Sequence, residues 1–154
     1  MSAISGRKRL SVGSLLGLSL LVLLAAKSAD SPVADAAQQG DAQIVRTLLQ
    51  QGEDVNAAQS DGLTALHWAA LNNDLEMAKL LLYAGATVKP TTRVGSYTPL
   101  HLASRSGYHE VMKAMLDAGA DPNKLTATGV TAMHFAAQSD APEAIRVLAE
   151  HGGD

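Results

Sequence analysis

Cysteine is absent from the 154 residues. Its absence excludes a disulfide framework, a thiolate metal site, a cysteine nucleophile and a lipid-modified cysteine anchor. Aromatic residues make up only 3 % of the chain, so any core must be built from Leu, Ala, Val, Ile and Met. Hydrophobic residues reach 47 % and charged residues 18 %, a balance that excludes a chain disordered along its whole length.

Acidic residues are also absent from the first 27 positions, which contain four basic ones: Arg7, Lys8, Arg9 and Lys27. From Asp30 onward, 8 Lys and Arg stand against 15 Asp and Glu, a net charge of −7. An acidic body repels phosphate backbones, so the charge argues against nucleic-acid binding.

The N-terminal segment has the parts of a secretory signal. Basic residues 7–9 precede residues 10–26, an uncharged apolar run of 17 residues. That length is at the short limit for a spanning helix, and Gly13 and Gly17 interrupt it. We predict a signal peptide over residues 1–29, cleaved near Ala26 or Ala29, and an exported protein, periplasmic or secreted, of bacterial origin. The alternative is an uncleaved N-terminal membrane anchor.

A seven-residue phrase recurs through the rest of the chain. It reads TALHWAA at residues 64–70, TPLHLAS at 98–104 and TAMHFAA at 131–137, at spacings of 34 and 33. A degenerate copy of the phrase, SPVADAA, occupies residues 31–37, with Ala34 in place of the histidine. The second half of each unit repeats in register and is followed by a glycine: Gly52, Gly85, Gly119 and Gly152. Such a fixed period predicts a repeat architecture.

The sequence pattern of each unit is typical of two short antiparallel helices joined by a turn. The threonine that opens the phrase can cap the first helix through its hydroxyl. A glutamate falls in the first turn of the second helix, where the helix dipole favours a carboxylate. The glycine can end the second helix in the left-handed conformation, and Asn73 suits the same conformation between the two helices of its unit. The capping threonines are Thr64, Thr98 and Thr131, and the glutamates are Glu76, Glu110 and Glu143.

The Thr-Pro-Leu-His-x-Ala phrase at this period resembles the ankyrin repeat, over about residues 31–154. The resemblance implies an all-α solenoid of stacked helix-turn-helix units with hairpin-like loops, preceded by the signal peptide. The predicted domain covers residues 30–154, in units of about 31–63, 64–97, 98–130 and 131–154. Since the chain stops where Val-Asn would follow, we expect the last unit to be truncated.

The loop over residues 89–97 departs from the family pattern. It carries one extra residue, and Lys89 and Thr87 stand where the family has Asn and Asp. We therefore expect an irregular hairpin there.

Five histidines are the obvious candidates for chemistry. Those of the repeated phrase are His67, His101 and His134. Neighbouring units lie roughly 8–10 Å apart, whereas zinc ligands sit near 2 Å from the metal. We predict that these imidazoles bridge backbone groups between units, and that His109 and His151 are solvated. Nucleophile-elbow and phosphate-loop motifs are absent, so we predict no enzyme activity, no catalytic residue, no metal and no cofactor.

Variable positions indicate a binding surface. A solenoid keeps its framework and varies its loops and the inner faces of its first helices. Arg93 and Tyr97 amid apolar neighbours resemble the composition of binding hot spots. We predict a monomeric module whose concave surface binds another protein. The candidate partner-binding residues are Asp61, Leu63, Leu71, Asn72, Arg93, Val94, Ser96, Tyr97, Arg105, Ser106, Thr128, Val130 and Gln138.

Two further hypotheses remain open at this point. The stack could be the targeting arm of a larger enzyme or toxin truncated at residue 154. It could also be a scaffold tethered to a membrane through residues 10–26.

Overall fold

A computed structural model describes residues 31–154, so the predicted signal segment lies outside the described residues. Within 31–154 the chain forms eight α-helices and no strand, which confirms the all-α prediction. The helices form four pairs, one in each predicted unit. They are α1 Pro32–Gln38, α2 Ala42–Gln50, α3 Ala65–Leu71, α4 Leu75–Tyr83, α5 Pro99–Ser104, α6 His109–Asp117, α7 Ala132–Gln138 and α8 Pro142–Glu150.

The helix pairs stack in two layers. First helices α1, α3, α5 and α7 pack in one row, while second helices α4, α6 and α8 pack behind them. The core between the layers is aliphatic, as the scarcity of aromatics predicts, and its largest fully buried side chains include Leu66, Leu81, Met112, Met115 and Leu148. Each unit buries its apolar face against its neighbours, as repeat proteins do. Across the described range no helix is both long and apolar enough to cross a membrane.

Left-handed residues end the helices where the sequence predicts them. The glycines after the second helices, Gly52, Gly85, Gly119 and Gly152, have φ of 84°, 93°, 89° and 82°. Between paired helices, Asn73 and Asp140 take φ of 52° and 50° where Gly107 has 67°. A Cβ on Gly107 would lie 2.6 Å from the Cβ of Ala141, so this turn needs glycine for space as well as for conformation.

A threonine and a histidine together form the start of the first helix in units two to four. The threonine N–H donates to Nδ1 of the histidine three residues later, at 3.1 Å for Thr64 and His67, 3.0 Å for Thr98 and His101, and 3.4 Å for Thr131 and His134. The predicted hydroxyl cap is present at Thr98, whose Oγ1 accepts the N–H of His101 at 3.3 Å. These contacts satisfy main-chain donors that a helix start otherwise leaves unpaired.

The other ring nitrogen of two histidines reaches the next unit. Nε2 of His67 lies 3.0 Å from the main-chain oxygen of Tyr97, and Nε2 of His101 lies 2.8 Å from the main-chain oxygen of Lys124. Because Nδ1 accepts the threonine N–H, Nε2 carries the proton and donates it to the carbonyl. Burial lowers the pKa of His67 to about 4 and also lowers the pKa of His101. Both rings are therefore neutral bridges between units, as predicted. For His134 the prediction is wrong, because its ring is exposed and, within residues 31–154, bonds only Thr131 of its own unit.

The prediction that His151 is solvated is wrong. Its Nε2 lies 3.0 Å from Oδ1 of Asp117 in the preceding unit, and its Nδ1 lies 2.8 Å from the oxygen of Val147. The carboxylate of Asp117 raises the pKa of His151. His109 is exposed, as predicted.

Asparagines tie successive interunit turns together. Asn56 donates through Nδ2 to the oxygen of Gly85 at 3.3 Å and accepts the N–H of Thr87 at 2.9 Å. Asn123 likewise donates to the oxygen of Gly152 at 2.9 Å and accepts the N–H of Asp154 at 3.1 Å. Each asparagine thus connects its own turn to the turn one unit later.

Lys89 occupies the equivalent place in the turn between these two, and its side chain makes no such pair of bonds within residues 31–154. A cavity of about 220 Å³ lies there instead. It is lined by Val88, Lys89, Thr98, Gly119, Ala120, Asp121 and Lys124. This turn therefore lacks the asparagine bridge that the turns before and after it have.

Introducing an asparagine at position 89 is expected to stabilise the stack. In T87D/K89N the new amide would bond the turn of the next unit, adding about 1 kcal/mol to the free energy of unfolding. Urea unfolding followed by far-UV circular dichroism measures this change. The control Lys89→Ala removes the lysine without adding an amide, and equal stability of the control and the double variant would contradict the prediction.

Candidate functional site

Three hairpins project from the helix layers, one before each first helix of units two to four. Their closing main-chain bonds run from Gln59 to Leu63 at 2.8 Å, from Thr92 to Tyr97 at 2.9 Å and from Thr126 to Val130 at 2.9 Å. The middle hairpin spans one residue more than the other two, as predicted. Gly95 and Ser96 accommodate the extra residue, both at positive φ, of 82° and 54°.

The hairpin tips are hydrogen-bonded to one another. The N–H of Arg93 donates to the oxygen of Asp61 at 2.8 Å, and the N–H of Ala127 donates to the oxygen of Gly95 at 3.0 Å. A Cβ on Gly62 would lie 2.9 Å from the main-chain nitrogen of Arg93, so glycine permits the close approach. The tips therefore form one continuous row, which is held in place before any partner arrives.

A cluster of aromatic rings and a guanidinium lies beside this row. The Cζ of Arg105 is 5.7 Å from the ring centroid of Tyr97 and 5.9 Å from that of Phe135, within cation–π range. The Tyr97 and Phe135 rings are 6.0 Å apart. Val94, at the adjacent tip, is 84 % exposed. We call Arg93, Val94, Tyr97, Arg105 and Phe135 the arginine face.

Three of the four Lys and Arg side chains on the second helices are neutralised by ion pairs, Arg46 being the exception, whereas the arginines of the arginine face are not. Ion pairs join Lys79 to Glu76 at 3.1 Å, Lys113 to Asp117 at 2.8 Å, and Arg146 to Glu143 and Glu150 at 2.7 Å each. Within residues 31–154, neither Arg93 nor Arg105 takes part in an ion pair. Their guanidinium groups are exposed and available to an incoming carboxylate.

Units one and two present the opposite charge. An open depression of about 300 Å³ is lined by Ser31, Asp35, Gln59, Ser60 and Asp61. We call these residues the acidic depression. Nε2 of Gln59 donates to Oδ1 of Asp35 at 2.6 Å, and its Oε1 accepts the indole N–H of Trp68 at 2.8 Å. The carboxylate of Asp61 accepts the N–H of Leu63 at 3.0 Å.

Most of the predicted partner-binding residues are exposed, and the structure brings Tyr97 and Arg105 into contact. The exposed ones are Asp61, Leu71, Asn72, Arg93, Val94, Arg105, Ser106, Thr128 and Gln138, and the half-buried ones are Leu63, Ser96, Tyr97 and Val130. Asn72 also has a structural role, since its Nδ2 donates to the oxygen of Ala37 in unit one at 3.3 Å. Partner binding by these residues stays a prediction.

Sequence reasoning missed two residues of this surface, Gln59 and Phe135. Phe135 follows the histidine of its phrase, as Trp68 and Leu102 do, so a bulky residue at this position was a usable signal. Gln59 had no signal, because its partners Asp35 and Trp68 approach it only through the stacking of unit two on unit one. Across residues 31–154, no group of three or more His, Asp or Glu side chains could hold a metal ion.

Comparison with known proteins identifies the architecture. The family model described as "Ankyrin repeats (3 copies)" matches residues 10–93 and 88–154. Palmitoyltransferase Hip14 of Drosophila melanogaster is 40 % identical over 103 residues, 67 % of this chain and 16 % of that protein. Palmitoyltransferase ZDHHC13 of Homo sapiens is 32 % identical over 109 residues, which are 71 % of this chain and 18 % of that protein. Ankyrin repeat and SOCS box protein 3 of Homo sapiens is 35 % identical over 99 residues, which are 62 % of this chain and 19 % of that protein.

The chain spans less than a fifth of the length of each of these relatives. Since the family model covers more than half of the sequence and the four helix pairs repeat in register, the chain belongs to the ankyrin-repeat family.

Proposed function

We propose that this chain is the protein-binding module of an exported protein and acts as a monomer. Ankyrin repeats are non-catalytic modules for binding other proteins. The partner would lie on the concave side, across the hairpin tips and the first helices. The observation that carries this proposal is the row of hydrogen-bonded tips beside two arginines that lack ion pairs within residues 31–154. A surface fixed before binding loses little loop entropy when it meets its partner.

Affinity capture with the full chain tests this proposal. The variant R93E/R105E reverses two charges on the arginine face. R46E/R146E reverses two charges on second helices and therefore changes the net charge equally. We expect the wild type and the control to retain the same protein, and R93E/R105E to lose it by about tenfold or more, which corresponds to about 1.4 kcal/mol.

Circular dichroism must show equal helicity for the three baits. Retention of that protein by R93E/R105E at the wild-type level would contradict the proposed binding surface. Loss from the control as well would show that the effect comes from net charge rather than from this surface.

Export is a separate part of the proposal. Its support is the sequence pattern of basic residues 7–9 followed by the apolar run over residues 10–26. The N-terminal mass of the protein recovered outside the cytoplasm distinguishes cleavage near Ala26 or Ala29 from a retained anchor. A bacterial source stays a prediction, and the relatives named above are animal proteins.

A second candidate function is that of an interaction arm in a larger enzyme. The observation that favours it is the match to palmitoyltransferases, of which this chain covers 16 % and 18 %. Reading the gene past residue 154 tests it, since a long non-repeat extension would support the arm and an immediate stop codon would argue against it.

A further inference from the structure

We propose that the partner docks through an extended segment with ordered charge: carboxylates at one end, cationic side chains at the other and an apolar residue between them. This inference rests on the proposed function and assigns the chemistry of the partner. The carboxylates would meet the arginine face, and the cations would meet the acidic depression.

The arginine face supplies the carboxylate-binding end. A guanidinium binds a carboxylate through two parallel hydrogen bonds, and such charge-assisted pairs are stronger than neutral ones. Arg105 stacks on Tyr97 and Phe135, so its side chain is already positioned and loses less freedom on binding. Arg93 is fixed at its main chain by the bond to Asp61, which leaves its side chain free to reach a second carboxylate.

The acidic depression supplies the cation-binding end. Asp35 and Asp61 line the same open space, and neither is in an ion pair within residues 31–154. Their bonds come from neutral donors, the amide of Gln59 and the N–H of Leu63. A lysine or arginine of the partner could enter this depression without displacing an internal cation.

Exposed apolar side chains also belong to the two middle units, which carry Asp61 and the two arginines. Leu71 is 40 % exposed and occupies in unit two the repeat position that Arg105 occupies in unit three. Val94 is 84 % exposed at the middle tip. An apolar side chain of the partner that packs on Leu71 or on Val94 would remove that residue from water.

The repeat geometry sets the length of the segment. Neighbouring units stack at about 10 Å, and an extended chain advances about 3.3 Å per residue, so each unit corresponds to about three residues of the partner. A uniformly acidic segment is disfavoured because Asp35 and Asp61 would repel one of its ends.

Calorimetric titration of the full chain with two synthetic peptides tests the inference. One carries a block of glutamates, a leucine and a block of lysines. The other has the same composition with glutamate and lysine alternating. We expect the block peptide to bind at least about tenfold more tightly than the alternating one, and added salt to weaken its binding.

The charge variants locate the binding. R93E/R105E is expected to lower the affinity for the block peptide by about tenfold or more, while R46E/R146E is expected to leave that affinity unchanged. Equal affinity for the two peptides, or no effect of R93E/R105E, would overturn the inference.

Competition separates this inference from the proposed function. If the block peptide fails to displace a protein whose capture depends on Arg93 and Arg105, the charge order is wrong while the binding surface stands. If R93E/R105E captures that protein as well as the wild type does, the proposed function itself fails.

Discussion

Acidification from about pH 6.5 to about pH 4 is expected to destabilise the folded stack. Burial lowers the pKa of His67 from 6.5 to about 4, so over this range the imidazole binds a proton in the unfolded chain but not in the folded one. The free energy of unfolding therefore falls as the pH falls through this window, by about 3 kcal/mol for His67 alone. His101, whose pKa burial also lowers, adds to the loss. Urea unfolding at a series of pH values measures the change.

A variant that cannot titrate isolates the contribution of His67. H67Q keeps an amide donor but binds no proton, so it is expected to lose less stability over this window, although it starts less stable. Hydrogen bonds from Lys113 and Arg146 lower the pKa values of Asp117 and Glu143. What these carboxylates contribute to the free energy of unfolding is therefore lost only at pH values below the His67 window. The same loss of stability in H67Q and the wild type would contradict the assignment to this histidine.

Alanine in place of the third residue of the repeated phrase is expected to lower the free energy of unfolding most in the inner units. Leu66 and Leu100 are 1 % and 2 % exposed, and each Leu→Ala change is expected to lower the free energy of unfolding by about 2–5 kcal/mol through lost burial and the cavity left behind. Met133 holds the same repeat position in the last unit but is only half-buried. Met133→Ala is therefore expected to cost less than about 2 kcal/mol.

Chemical denaturation of the three single variants measures this difference. A loss at Met133 equal to that at Leu100 would show that the last unit is packed as tightly as the inner ones. The comparison is matched, because each residue follows the helix-starting threonine by two positions.

Local features of the fold were predictable from the sequence. The repeated phrase, the glycine after each second helix and the polar residues at the left-handed positions all act within a few residues of the chain. Asn73 shows the point, since its identity alone indicated a left-handed turn, and its φ is 52°. The extra residue of the middle hairpin was equally visible as a break in the repeat spacing.

Contacts between units were harder to predict, although the period contains part of the answer. Residues one period apart lie side by side, and His151 follows Asp117 by 34 positions, so their ion pair could have been anticipated. The stacking of Arg105 on Phe135 could not, because it depends on the path of long side chains across the interface between units. Asn72 is similar, since the same exposed amide that suggests binding also donates to unit one.

The scarcity of aromatic residues has a practical consequence for spectroscopy. Trp68 is the only tryptophan in the chain, and its indole N–H is hydrogen-bonded to Gln59, which in turn bonds Asp35. Its fluorescence emission therefore monitors the junction of units one and two through these hydrogen bonds. A ligand that enters the acidic depression and displaces Gln59 from the indole is expected to shift this emission.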